Sequence, residues 1–110
     1  MSDPIESRLI ELREKARELA DAQALRYNLD NAKKAIIATA MKTAESKGHK
    51  AVSAQEREAL ASAEYQTWLL GSTEAVRNHE RLRLEWKVIE FRFESWRTLQ
   101  ATKRAEMSYT

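Results

Sequence analysis

The chain of 110 residues contains no cysteine, one proline and two glycines. The lack of cysteine excludes disulfide bonds and thiolate metal sites. Proline and glycine are the residues that most strongly interrupt helices, so their scarcity favours long uninterrupted ones. We therefore expect a single all-α domain.

Long apolar runs and a strong excess of one charge are also absent. No run approaches the roughly 18 apolar residues of a membrane-spanning helix, and Met1-Ser2-Asp3-Pro4 does not resemble the start of a signal peptide. The 19 basic and 17 acidic residues interleave and leave a net charge of +2, so bulk charge does not favour nucleic-acid binding. We expect a soluble, intracellular protein without a membrane partner.

The clearest pattern is an apolar stripe near the end of the chain. Residues from Ser72 to Gln100 that are spaced alternately by three and four are mostly apolar, which places them on one face of a helix. The pattern predicts a helix over 63–104 that packs on another helix. Its predicted seam residues are Leu82, Trp86, Ile89, Phe93 and Trp96.

A first helix is predicted over 4–47. Asp3 is a good N-cap, Pro4 suits the first helical position, and Gly48 can end the helix. The apolar stripe starts as Ile5, Leu9, Leu12, Ala16 and Leu19. A strict continuation would meet Arg26, so we expect a one-residue slip to a stripe of Ala22, Leu25, Leu29, Ala32, Ile36 and Ala40.

The connection between the long helices is predicted to contain a short helix over 54–61. Ser53 can cap this helix, and Ser62 can cap the next one. Gly71 is a candidate kink in the last helix. We expect the last residues, from Met107, to fray. Together these elements predict a long antiparallel, coiled-coil-like helical hairpin.

A two-helix hairpin buries only one stripe from each helix. The last helix carries a second apolar set, displaced from the seam, and such surplus stripes usually contact another chain. We expect a homodimer that completes a four-helix bundle. The predicted oligomer or partner interface comprises Leu84, Val88 and Phe91.

No constellation of reactive residues is present, so we expect no catalytic residues, no metal site, no cofactor and no enzymatic activity. His79 falls on the predicted seam, level with Arg26 or Asp30. There it is either a structural residue or, less favoured, a pH-sensitive or catalytic one. The aromatic residues, among them Trp68, are better explained as core and interface anchors than as a platform for stacking bases.

Two locally basic groups are the candidate nucleic-acid contacts: Lys47, His49 and Lys50 at the turn, and Arg97, Lys103 and Arg104 near the end of the chain. Cationic side chains at such sites can bind phosphates. Glutamates are interspersed along the last helix, however, and an ion-paired, solvated face is the stronger interpretation of its charges.

Several short segments resemble a group of small phage and prophage proteins. These are Gly48-His49-Lys50, Ser53-Ala54-Gln55-Glu56-Arg57-Glu58, Tyr65, Leu69, Leu82-Arg83 and Trp96-Arg97-Thr98. The resemblance covers Lys47 to Arg104 and rests on helix-surface patterns. Many proteins of that group lie among recombination or replication genes. The resemblance implies a phage accessory factor in the cytoplasm of a bacterial host, acting near DNA or a DNA-processing protein, and it supplies no catalytic residues.

Two functional hypotheses follow. The first is a non-enzymatic phage accessory protein that binds DNA or a recombination or replication protein. The second is a pure protein–protein interaction module, a scaffold or an inhibitor of a host factor, that makes no contact with nucleic acid.

Overall fold

A computed structural model describes residues 4–109 of the chain. It consists of three helices, α1 (Pro4–Ser46), α2 (Val52–Leu60) and α3 (Ala63–Ser108). This element order confirms the predicted all-α helical hairpin, in which a short helix connects two long ones. The predicted N-cap Asp3 lies outside the described residues, and Pro4 opens α1 as expected.

The end of α1 is set by Gly48. This glycine has a φ of +106°, a backbone conformation that residues with a Cβ atom rarely adopt. Its N–H donates to the carbonyl of Glu45 at 3.0 Å, and the N–H of His49 donates to the carbonyl of Ala44 at 3.1 Å. This pair of bonds is a Schellman motif with Lys47 as the C-cap residue, so the helix ends within one residue of the predicted boundary.

The short helix α2 begins earlier than the predicted residue 54, and Ser53 is not its cap. Ala51 occupies the N-cap position in an extended conformation and makes no side-chain capping bond. The buried side chain of Gln55 donates instead to the carbonyl of His49 at 3.0 Å. Because α2 begins at Val52, Ser53 lies inside the helix and is not at the N-cap position of the predicted capping box.

Ser62 caps α3 as predicted, because its hydroxyl accepts the N–H of Tyr65 at 3.2 Å. The helix continues through Gly71 without a break and ends at Ser108 rather than at residue 104. Residues 105–108 contain no glycine or proline that would end the helix, which explains the longer span. The predicted fraying from Met107 is therefore not seen up to Ser108.

The chain divides into two compact units, and both contain a piece of α1 and a piece of α3. Unit 1 combines α1 up to Leu19 with α3 from Glu80 onward. Unit 2 spans Ala20–His79 and includes α2.

The less exposed residues of α1 form a stripe that shifts once. They are Leu12, Lys15, Leu19, Ala22, Arg26 and Leu29, spaced alternately by three and four, and then Ala32, Ile36, Ala40 and Ala44, with a second consecutive step of three between Leu29 and Ala32. The predicted change of stripe is therefore present, but after Leu29 rather than near Ala22 to Leu25: Leu25 is exposed, and Arg26 occupies the seam. The sequence-based stripe was wrong at this point because α1 places two basic side chains in the seam, each of which has a polar partner on α3.

Unit 2 is held by polar contacts as well as by packing. The indole N–H of the buried Trp68 donates to the carbonyl of Leu29 at 2.8 Å, and Lys33 lies over the indole ring. Arg26 Nη1 lies 3.1 Å from Nδ1 of the buried His79, whose ring therefore accepts the guanidinium proton. His79 is thus level with Arg26, one of its two predicted neighbours.

Small residues dominate the buried part of the chain. Among the described residues, the buried apolar ones are Ala22, Ala44, Ala59, Trp68, Ala75 and Leu82. No helix in the described part of the chain combines the length and apolar character that a membrane crossing requires.

Candidate functional site

An ion pair fixes the register of α1 and α3 in unit 1. Lys15 Nζ lies 2.8 Å from Glu85 Oε2, and the same carboxylate accepts a bond from Arg81 at 2.9 Å. The hydrogen bond from Lys15 lowers the pKa of the Glu85 carboxyl group, and the same contact raises the pKa of Lys15. The two groups thus hold each other in the charged state at neutral pH.

The predicted seam residues of α3 become progressively more exposed along unit 1. Leu82 is buried, and Trp86 and Ile89 are partly buried. Phe93 and Trp96 are 51% and 44% exposed, although their rings stack on each other with centroids 6.2 Å apart. The expectation that α1 covers the whole seam therefore fails at its last two residues.

The helix lengths explain this exposure. Because Lys15 pairs with Glu85 in an antiparallel arrangement, Pro4 is level with about residue 96 of α3. The helix α3 continues to Ser108, so roughly 18 Å of it extends beyond the first turn of α1 at 1.5 Å per residue. Phe93 and Trp96 therefore face only the first turns of α1, where Ile5 and Leu9 are themselves exposed.

The predicted interface residues Leu84, Val88 and Phe91 form a second apolar surface, which we call the outer stripe. These side chains are 60%, 49% and 73% exposed. At 100° per residue, the stripe points about 160° away from the seam residues of the same helical turns. The outer stripe therefore lies on the side of α3 opposite the seam, where α1 cannot cover it.

The charged side chains around the outer stripe differ in whether they have a bonding partner. Every glutamate of α3 between residues 80 and 94 has a partner: Glu80 bonds Arg83, Glu85 bonds Lys15 and Arg81, Glu90 accepts the indole N–H of Trp86, and Glu94 bonds Arg97. Lys87 and Arg92, by contrast, make no ion pair with any residue in the range 4–109. Both are exposed, and the helical periodicity places Lys87 on one edge of the stripe and Arg92 on the other.

The candidate phosphate contacts near the end of α3 differ in their pairing. Arg97 is bonded to Glu94 at 3.2 Å, as the ion-paired interpretation predicts. Lys103 and Arg104 are exposed and have no ion pair within the described part of the chain. A shallow groove along α3 is bordered by Phe93, Trp96, Arg97 and Arg104, which brings two aromatic rings and two guanidinium groups together.

The basic residues of the turn belong to unit 2. Lys47 and Lys50 are exposed, and His49 is partly buried, with its Nε2 atom 3.9 Å from Glu58 Oε1. The structure therefore places these three residues beside the Schellman turn in unit 2, whereas Arg97, Lys103 and Arg104 belong to unit 1.

No arrangement typical of catalysis emerges from the described residues. Over 4–109, no group of three or more histidine and carboxylate side chains is placed to hold a metal ion. The His79 ring is occupied by Arg26, and the perturbed carboxyl group of Glu85 is held by Lys15 and Arg81. These contacts give both side chains structural partners within the hairpin.

Comparisons with known proteins give no assignment. The chain matches no protein-family model, no curated protein and no solved structure. The exposed surfaces of the hairpin are therefore the basis for assigning a function.

Proposed function

We propose that this protein is a non-enzymatic binding module and that unit 1 binds another polypeptide through its exposed apolar side chains. The observation that carries this proposal is the amount of apolar surface that unit 1 leaves in solvent. Nine of its large apolar side chains are between 44% and 73% exposed: Ile5, Leu9, Ile10, Leu84, Val88, Phe91, Phe93, Trp96 and Leu99.

The size of this surface supports the proposal. At roughly 200 Å² for each fully exposed residue, these nine residues leave on the order of 1,000 Å² of apolar surface in solvent, divided between the two apolar surfaces of unit 1. The largest apolar patch of a typical monomer is about 300–600 Å², whereas a standard protein interface buries about 800 Å² per partner. The three outer-stripe residues alone account for roughly 350 Å² of this surface, and the total over both apolar surfaces of unit 1 is comparable to what one partner buries in a standard interface.

Three substitutions test the proposal. Phe91→Asp and Trp96→Asp place a charge on the two apolar surfaces of unit 1. Leu70→Asp is the matched control, because Leu70 is 72% exposed on the same outer face of α3 but belongs to unit 2. Circular dichroism would establish that all variants keep the helical content of the wild type.

The measurements are the solution mass of the chain by light scattering and the retention of proteins from a bacterial extract on the immobilised chain. We expect the wild type to self-associate or to retain a specific protein, and Leu70→Asp to behave in the same way. At least one of the two unit 1 variants should lose the association. A wild type that is monomeric and retains nothing, or equal association by all four proteins, would contradict the proposal. A mass of two chains would support the homodimer that the sequence predicts.

Nucleic-acid binding is the second candidate, and the groove at Phe93, Trp96, Arg97 and Arg104 is the observation that favours it. Aromatic rings beside cations are the groups that bind single-stranded nucleic acid, by stacking and by phosphate contact. This role is in line with the phage accessory factor that the sequence resemblance implies. Protein binding remains preferred, because Arg97 is already ion-paired and most of the exposed apolar surface lies outside this groove.

A titration with single- and double-stranded DNA at several salt concentrations tests the second candidate. Phosphate-driven binding is strongest at low salt and weakens steeply as salt increases. We expect Lys103→Glu combined with Arg104→Glu to reduce any such binding. The absence of binding at low salt would exclude direct contact with DNA and leave only the protein-binding role.

A further inference from the structure

The outer stripe has the geometry of a seam without a partner helix. Leu84, Val88 and Phe91 are spaced by four and then three residues, which is the spacing of the seam that α3 forms with α1. Exposed side chains at this spacing form a ridge that a second helix can pack against. Because the stripe faces away from α1, that helix has to come from outside the hairpin.

The charges at the edges of the stripe indicate what kind of helix fits. Lys87 lies at the midpoint of the stripe along one edge, and Arg92 lies along the other. Neither has an ion-pair partner in the described chain, whereas the neighbouring glutamates are all engaged. A helix with carboxylates on both sides of its own apolar stripe would pair with these two cations.

A second copy of the chain fits this stripe poorly. If two outer stripes pack antiparallel about a two-fold axis, the midpoint residue Lys87 of one chain lies beside Lys87 of the other. If they pack in parallel, Lys87 lies beside Arg92 of the other chain, because flanking positions five residues apart are neighbours across a parallel coiled coil. Both of these registers bring like charges together at the interface, and such contacts disfavour association. An antiparallel register with Val88 facing Phe91 of the other chain would bring Lys87 and Arg92 to Glu94 and Glu85, but those carboxylates are already paired with Arg97 and with Lys15 and Arg81.

We propose that the outer stripe Leu84–Val88–Phe91 is the docking site for an acidic amphipathic helix of a different protein, with Lys87 and Arg92 contacting its carboxylates. The proposal rests on the proposed function, because it names the partner class for one of the two apolar surfaces of unit 1. It leaves the other surface, at Phe93 and Trp96, free to take part in a different contact.

The test uses two synthetic helical peptides that share one leucine stripe. One peptide carries glutamate at the positions that flank the stripe, and the other carries lysine there. Binding to the full chain is measured by calorimetry at low and at high salt. We expect the acidic peptide to bind about tenfold more tightly at low salt, since two surface ion pairs are gained and two like-charge contacts avoided. High salt should reduce this difference.

Variants of the chain locate the binding. Lys87→Glu combined with Arg92→Glu should reverse the preference, so that the basic peptide binds more tightly. Phe91→Asp should abolish the binding of both peptides, while Leu70→Asp should leave it unchanged. Helical content measured on each variant separates a lost site from a lost fold.

Four results would overturn the inference. These are equal affinity for the two peptides, binding of neither, an unchanged preference in the double variant, and conversion of a dimer to a monomer by Phe91→Asp. The same variants also distinguish failure of this inference from failure of the proposed function. If Trp96→Asp alone removes the association of the chain with its partner, unit 1 is a binding surface but the outer stripe is not its docking site.

Discussion

Replacing each of the two glycines by alanine should change stability in opposite directions. Gly71 lies within the continuous helix α3, and the Cβ atom of an alanine there would meet no other heavy atom within 4 Å. Gly48 has a φ of +106° at the end of α1. The same chemical change therefore removes flexibility at one site and creates backbone strain at the other.

The expected magnitudes follow from these conformations. Alanine is favoured over glycine in a helix interior by about 0.8–1.0 kcal/mol, and no clash offsets that gain at Gly71. A shift of about 1 kcal/mol corresponds to an increase in Tm of roughly 4–8 °C for a unit of this size. At Gly48, an alanine held in the left-handed region should cost about 1–2 kcal/mol and weaken the Schellman motif.

Both glycines belong to unit 2, so the effect should be followed during urea unfolding by circular dichroism and by the fluorescence of Trp68, isolated by replacing Trp86 and Trp96 with phenylalanine. Agreement between the two probes would show whether one transition describes the unit. We expect the midpoint to increase for Gly71→Ala and to decrease for Gly48→Ala. A decrease for Gly71→Ala would show that α3 is kinked at this position and would contradict a continuous helix.

Three further predictions concern the polar contacts between the helices. Trp68→Phe removes a hydrogen bond to the backbone and should lower the free energy of unfolding, measured in urea titrations, by about 1–3 kcal/mol. An unchanged free energy of unfolding would contradict the bond from Trp68 to the Leu29 carbonyl. His79→Leu should lower the free energy of unfolding less in an Arg26→Leu background than in the wild type. A double-mutant cycle should give a coupling energy of about 0.5–1.5 kcal/mol, whereas strictly additive effects would contradict the contact between the two side chains. The lowered pKa of Glu85 means that its ion pair stabilises the fold above its ordinary pKa of 4.5 and that this contribution is lost as pH falls through the lowered value. The Tm difference between wild type and Lys15→Met should therefore shrink in acid, and a difference that persists there would contradict the argument.

The apolar periodicity predicted most of α3 correctly because its seam residues are apolar and regularly spaced. The glycine at residue 48 likewise predicted the end of α1, because few other residues adopt a positive φ. Both signals are local in the sequence. They depend on the residues themselves and not on what the partner helix presents.

The seam of α1 could not be predicted in the same way. Lys15 and Arg26 are unfavourable seam residues when α1 is considered alone, and they become favourable only when Glu85 and His79 lie opposite them. That pairing depends on the register of two helices far apart in sequence. A search for basic seam positions on one helix that match polar positions on the other would have been the available signal.

The exposure of Phe93 and Trp96 was missed for a related reason. Their apolar character and spacing indicate a seam, but burial also requires that the other helix extends far enough to cover them. The order of the helices was predicted correctly, but the predicted register was wrong in unit 1: the hairpin was expected to place Ile5 to Leu19 near Phe91 to Ala105, whereas Lys15 pairs with Glu85. The outer stripe was correctly recognised as displaced from the seam, and its position opposite the seam follows from the same helical geometry.

The distribution of large and small apolar residues links stability to binding. Four of the six buried apolar residues are alanines, which gain little from burial, whereas nine large apolar side chains of unit 1 are 44% or more exposed. The apolar core of the hairpin therefore contributes modest stability, and covering the exposed side chains of unit 1 would add to it. A ligand that binds only the folded state stabilises it by mass action. A partner that covers unit 1 should accordingly raise the Tm of the chain, and a peptide that binds without raising it would contact a surface other than this one.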